Sequence, residues 1–183
     1  MFIQTETTPN PATLKFLPGC TVMEEGTANF TEAETAGRSP LATALFAVDG
    51  VTGVFFGHDF ITVTKGEDRD WDTLKPRVLG SIMEHFTQGR PVIAEAAAES
   101  EEDTGDDTEI VTQIKELLET RVRPAVAQDG GDIIYHGFEE GIVYLQMQGA
   151  CQGCPSSTAT LKHGIENMLR YYVPEVKEVQ AVM

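Results

Sequence analysis

The sequence predicts an α+β protein of two small α/β domains joined by an acidic flexible linker. Three features carry that prediction. Residues 95–109 hold eight acids, no base and no apolar periodicity, so self-repulsion and lack of burial area favour an extended, mobile chain. Before that stretch, short strand and helix signals alternate. After it, the order helix, strand, strand, thiol-bearing loop, helix, strand describes a three-stranded sheet covered by two helices. The expected limits are 1–88 for the first domain, 89–108 for the linker and 109–183 for the second domain.

In the first domain, residues 13–17 alternate like a strand and are closed by the Pro18-Gly19 turn. Ser39-Pro40 has the form of an N-cap followed by a first helical residue, and Asp49-Gly50 stops the short helix it opens. Val54-Phe55-Phe56 and the run from Phe60 to Thr64 flank Gly57-His58-Asp59, a hairpin signal. Asp70 is placed to cap a helix whose apolar face is Trp71, Leu74, Val78, Ile82 and Phe86.

The second domain opens with Ile110, Ile114, Leu117, Leu118 and Val122 on one helical face, ended or kinked by Pro124. Asp129-Gly130-Gly131-Asp132 reads as a turn, and residues 133–138 and 142–147 as a hairpin across Glu139-Glu140-Gly141. A long helix with Leu161, Ile165, Met168, Leu169 and Tyr172 on one face follows the thiol loop, and a short strand from residue 177 to 182 closes the chain.

Between the hairpin and that helix lies Gly149-Ala150-Cys151-Gln152-Gly153-Cys154-Pro155-Ser156-Ser157, which holds two of the three cysteines. Proline suits the first helical position, where its missing N–H would have had no partner, so Cys154 takes the N-cap position. The positive end of the helix dipole favours thiolates there. The loop is therefore expected to hold both thiols outward, with Gly149 and Gly153 letting the backbone approach a bulky ligand.

A formal charge of −16 over 183 residues leaves little counterion release to gain on nucleic acid and disfavours anionic membrane surfaces. No apolar run approaches a bilayer span, and residues 1–6 lack the basic character of a targeting peptide. Bacterial cytoplasm is the expected compartment, with a mitochondrial matrix the alternative for a processed organellar chain. An odd number of cysteines makes no secreted disulfide framework, and a close pair in a reducing compartment points to metal or redox work. No Ser/His/Asp set, phosphate loop or paired carboxylates stand out, so no enzyme is expected.

The thiol motif together with Thr160-Leu161-Lys162, Ile165-Glu166, Pro174-Glu175-Val176 and the upstream Asp129-Gly130-Gly131-Asp132-Ile133 resembles the NifU C-terminal (Nfu) family of iron–sulfur scaffold proteins. Thr8-Pro9-Asn10-Pro11-Ala12-Thr13-Leu14-Lys15-Phe16, Ser39-Pro40-Leu41-Ala42 and the stretch from Val54 to Lys65 resemble that family's separate N-terminal domain. An iron–sulfur cluster wants four thiolates and one loop offers two, so two chains, or one chain and small thiols, must share it. The resemblance implies a homodimer with a 4Fe–4S cluster, or a 2Fe–2S cluster, held at the junction by Cys151 and Cys154 of each partner. It also implies upstream assembly proteins, apo clients such as lipoate-synthesising and aconitase-like enzymes, and a client-docking role for the first domain. Spacing alone leaves two alternatives open: a thioredoxin-like dithiol, which would need a βαβ context before the motif, and a structural zinc shared across a dimer.

Other candidates carry structural readings. Cys20 is expected to be a small packing residue. His163 falls on a solvated helix face, His58 and His85 are isolated, and His136 shares a strand face with Ile134 and Phe138 as a partly buried imidazole. Asp129 to Asp132 could tune a cluster from nearby, although a glycine turn accounts for them.

Overall fold

The computed structural model describes residues 2–94, 108–151 and 155–182, the side chains of 155–158 excepted. The chain divides into two compact units, Met1–Ser100 and Glu101–Met183. The stretch read as a linker lies outside the described residues from 95 to 107.

The first unit runs β1 (Gln4–Thr7), β2 (Thr13–Leu17), β3 (Ala28–Phe30), a 3₁₀ turn (Thr35–Arg38), α1 (Pro40–Phe46), β4 (Val51–Phe56), β5 (Ile61–Lys65) and α2 (Trp71–Thr87). Its sheet is antiparallel throughout, in the order β1-β2-β5-β4-β3. The Gly57-His58-Asp59 hairpin and the Ser39 cap stand where the sequence puts them: the Ser39 hydroxyl accepts from the Ala42 N–H at 3.1 Å. Phe16, Phe30, Phe56, Leu41, Leu45, Leu74, Val78 and Ile82 fill the core. Asp70 precedes α2 without a side-chain cap bond; its backbone carbonyl takes the Thr73 and Leu74 amides instead. After α2 the chain stays on the unit, because Val92 and Ile93 pack on the core, Ala94 donates to the Arg38 carbonyl, and Ser39 donates to the Val92 carbonyl.

The second unit runs α3 (Glu109–Leu117), a π-turn (Leu118–Val122), α4 (Arg123–Gln128), β6 (Gly131–Glu139), β7 (Ile142–Gly149), α5 (Pro155–Tyr172) and β8 (Glu178–Val182). Its three-stranded sheet has the order β6-β7-β8, with β6 and β7 antiparallel and β7 and β8 parallel. Glu140 and Gly141 both have positive φ, 52° and 87°, as a tight two-residue hairpin turn requires. Ile114, Leu118, Val122 and Val126 pack with Ile133, Val143, Leu145, Ile165, Leu169 and Val179.

Of the two outcomes expected at Pro124, the helix does not end: a π-turn directly before it interrupts the α-helical ladder and the run resumes as α4. Two side-chain placements depart from the sequence expectation. A bulge between Tyr135 and Gly137 switches the faces of β6, so His136 is exposed instead of sharing an inward face with Ile134 and Phe138. Tyr172 is 40% exposed, with Arg121 5.1 Å over its ring, and Val173 takes the inward place at the end of α5.

Candidate thiol site

Cys151 follows directly from the register of the β6–β7 hairpin. The last rung pairs Gly131 with Gly149, and Gly149, at φ 64°, turns the chain out of β7 in a conformation glycine adopts without strain. The Ala150 N–H then donates back to the Gly130 carbonyl at 3.1 Å, which aims the next side chain down onto the end of β6. There, a β-carbon on Gly131 would stand 2.5 Å from Cys151 Sγ, 2.9 Å from the Gln148 carbonyl oxygen and 3.1 Å from the Cys151 nitrogen. The thiol occupies the space that a side chain on residue 131 would fill.

The expectation of an outward thiol is therefore corrected for Cys151, which is 7% exposed and belongs to the core of the second unit. Cys154 lies outside the described residues. Helix α5 begins at Pro155, the first helical position read for it.

Beneath this corner lies a charged pair that the sequence reading missed. Asp132, 4% exposed, accepts from Arg123 Nε at its Oδ1 and from Nη2 at its Oδ2, both at 3.0 Å. Oδ1 also accepts the Ile133 N–H at 2.8 Å. Arg123 Nη1 donates to Glu119 Oε2 at 2.7 Å. Burial pulls the Arg123 pKa down, but the bonds and charges of Asp132 and then Glu119 outweigh it, so the guanidinium is held above its ordinary value and keeps its charge. The signal in the sequence is slight: an arginine next to a helix-bending proline and an acid opening a strand, nine positions apart.

The other candidates lie elsewhere in the fold. Cys20 is exposed, at an open hollow with Phe2, Leu17, Thr21 and Asp59; the turn at Gly19, φ 78°, carries it off the core and its packing reading is withdrawn. His58 is tied down, its Nδ1 2.9 Å from the Met23 carbonyl oxygen. His85 is 5% exposed and its Nε2 has no partner among the described residues. His163 is exposed, as expected. Among the described residues no group of three or more His, Cys, Asp or Glu could hold a metal by itself, and no helix is long and apolar enough to cross a membrane.

Comparisons with known proteins cover both units. Residues 3–89 match the family described as "Scaffold protein Nfu/NifU N terminal", and residues 114–180 match the "NifU-like domain". The human protein named NFU1 iron-sulfur cluster scaffold homolog, mitochondrial, is 54% identical over 184 residues, which is 100% of this chain and 72% of that protein. The Arabidopsis thaliana protein named NifU-like protein 4, mitochondrial, is 56% identical over 185 residues, 98% of this chain and 65% of that protein. A solution NMR structure of a NifU-like protein from Saccharomyces cerevisiae is 26% identical with a TM-score of 0.47, covering 52% of this chain and 86% of that one.

Proposed function

Because this chain belongs to the NifU-like (Nfu) scaffold family, we propose that it is an iron–sulfur cluster scaffold and carrier, not an enzyme. It holds its cluster through Cys151 and Cys154 and passes it to apo-proteins. The observation that carries this reading is the placement of Cys151, seated against a residue with no β-carbon at the point where a strand hands over to a helix N-terminus. The chain has three cysteines in all, and a cluster wants four thiolates. Two copies, each giving Cys151 and Cys154, complete the set for a 4Fe–4S cluster, with a 2Fe–2S cluster the alternative form.

A cluster bridging two copies is released when the pair parts and a client's thiols take over the iron, so the cluster is cargo and no turnover is required. The clients belong to the enzymes that need such a cluster to work, lipoate-synthesising and aconitase-like ones by family resemblance, and upstream assembly proteins supply it. The two relatives are named mitochondrial, which supports the matrix reading of the compartment beside the bacterial one.

Anaerobic reconstitution with iron and sulfide tests the proposal. The expected product is a brown dimer with about two iron and two sulfide per chain. Cys151→Ser and Cys154→Ser are each expected to lose it, whereas Cys20→Ser keeps it. A colourless dimer that holds zinc, or full iron retention in Cys151→Ser, would overturn the assignment.

A further inference from the structure

Arg123 is a charged side chain that the second unit covers over most of its surface. Its side chain is 22% exposed and that of Asp132 6%, and the two meet as a two-pronged pair with both contacts at 3.0 Å. With Asp132 and Glu119 both against it, the guanidinium has no surplus positive charge to offer a thiolate. What it contributes to the thiol corner is geometry.

That geometry can be followed residue by residue. The fork fixes Asp132 to the start of α4. The residue before Asp132 is Gly131, against whose α-carbon the Cys151 sulfur packs, and the one before that is Gly130, whose carbonyl receives the Ala150 N–H. At the start of β6, Asp132 is thus tied to a helix, while the two residues before it meet the chain at Ala150 and Cys151. A planar fork with two parallel hydrogen bonds fixes direction as well as distance, which a lysine in its place could not do.

We propose that Arg123 is a positioning residue for Cys151: by anchoring Asp132 it holds the strand end that seats the thiol, and so sets how readily that thiol opens to solvent or to an incoming acceptor. The role rests on Cys151 being a cluster ligand, but its test does not require a cluster. In the full-length, metal-free chain carrying Cys20→Ser and Cys154→Ser, Cys151 is the sole thiol, and its alkylation by iodoacetamide is timed at increasing urea below the unfolding transition. With Arg123 in place, labelling is expected to be slow and to rise steeply with urea, because it waits for the whole unit to unfold. Arg123→Gln is expected to label at least tenfold faster, with almost no urea dependence and an unchanged circular dichroism spectrum, and Arg123→Lys to fall between. Gly131→Ala, which pushes the sulfur out directly, is expected to behave as Arg123→Gln does.

A merely structural role would speed labelling only through global unfolding and keep the steep urea slope; that outcome, or an unchanged rate, overturns the proposal. Should Arg123→Gln fail to fold, the paired change Arg123→Met with Asp132→Leu keeps the volume without the fork. Fast, urea-independent labelling of that variant supports the proposal and parent-like protection overturns it. A wild-type chain that never takes up iron, beside variants that label as expected, would sink the cluster reading and leave the seat standing.

Discussion

A β-carbon on Gly57 would stand 2.2 Å from the Phe60 ring, and that ring is pinned between Phe55, with centroids 5.9 Å apart, and the Lys15 ammonium at 4.8 Å. The ring has nowhere to withdraw, so Gly57→Ala is expected to cost about 1–3 kcal/mol, read as a lower urea midpoint of the first unit with an unchanged slope. The glycine was legible as a hairpin signal; its reason was not, because nothing in the order of residues says that a ring three positions later folds back over it. The thiol site divides in the same way. The proline after Cys154 announces the helix start, whereas the burial of Cys151 comes from a hole twenty residues upstream that only strand pairing brings near. Cys20 and His136 differ from expectation for a local reason each, a left-handed glycine before one and a bulge at the other, since a single extra residue in a strand reverses every later side chain.

Elements that pack on both sides of the chain's apolar pattern were the readable ones. β2, β4, β5, α1, α2, the β6–β7 hairpin and α5 all stand where periodicity places them, while β1 and β3 were not seen. These two are the edges of their sheet, held by a neighbour on one side only; β1 is mostly exposed, and β3 is three residues long, too short for its alternation to stand out. The π-turn has a signal that is visible afterwards. Ile114, Leu118, Val122 and Val126 are buried at a constant spacing of four, which in an α-helix drifts by about 40° per step; a wider turn holds the row on one face and brings Arg123 over Asp132. In the first unit Ser39 joins two elements, since its buried hydroxyl caps α1 and also holds the strap at Val92. Ser39→Ala is expected to cost about 2 kcal/mol, the upper end for a lost N-cap. Hydrogen exchange at Ala94, whose amide is bonded to the Arg38 carbonyl, should speed up more than exchange in β4 or β5.

At the scale of the whole chain, each unit closes its own hydrophobic core, so each should melt by itself, and the two melts should answer to different chemistry. In the first unit, burial lowers the His85 pKa from the ordinary 6.5, with a backbone bond to Arg90 working the other way and the Arg90 charge adding to the lowering. The unfolded chain therefore binds a proton at higher pH than the folded one does. Stability from this group is whole above about pH 6.5 and falls as the pH drops below it. His85→Leu should flatten that dependence between pH 7 and pH 5.5, before most carboxylates titrate. The second unit carries Cys151, and anything bound there by two folded copies stabilises that unit alone by mass action. Calorimetry on the full chain should thus show two transitions. Lowering the pH from 7 to 5.5 should bring down the first unit's midpoint in the wild type and not in His85→Leu. Loading with iron and sulfide should raise the second unit's midpoint, more so at higher protein concentration, and leave the first where it was. A single transition that both treatments shift together would mean that the two cores unfold as one and would reject the independence argued here.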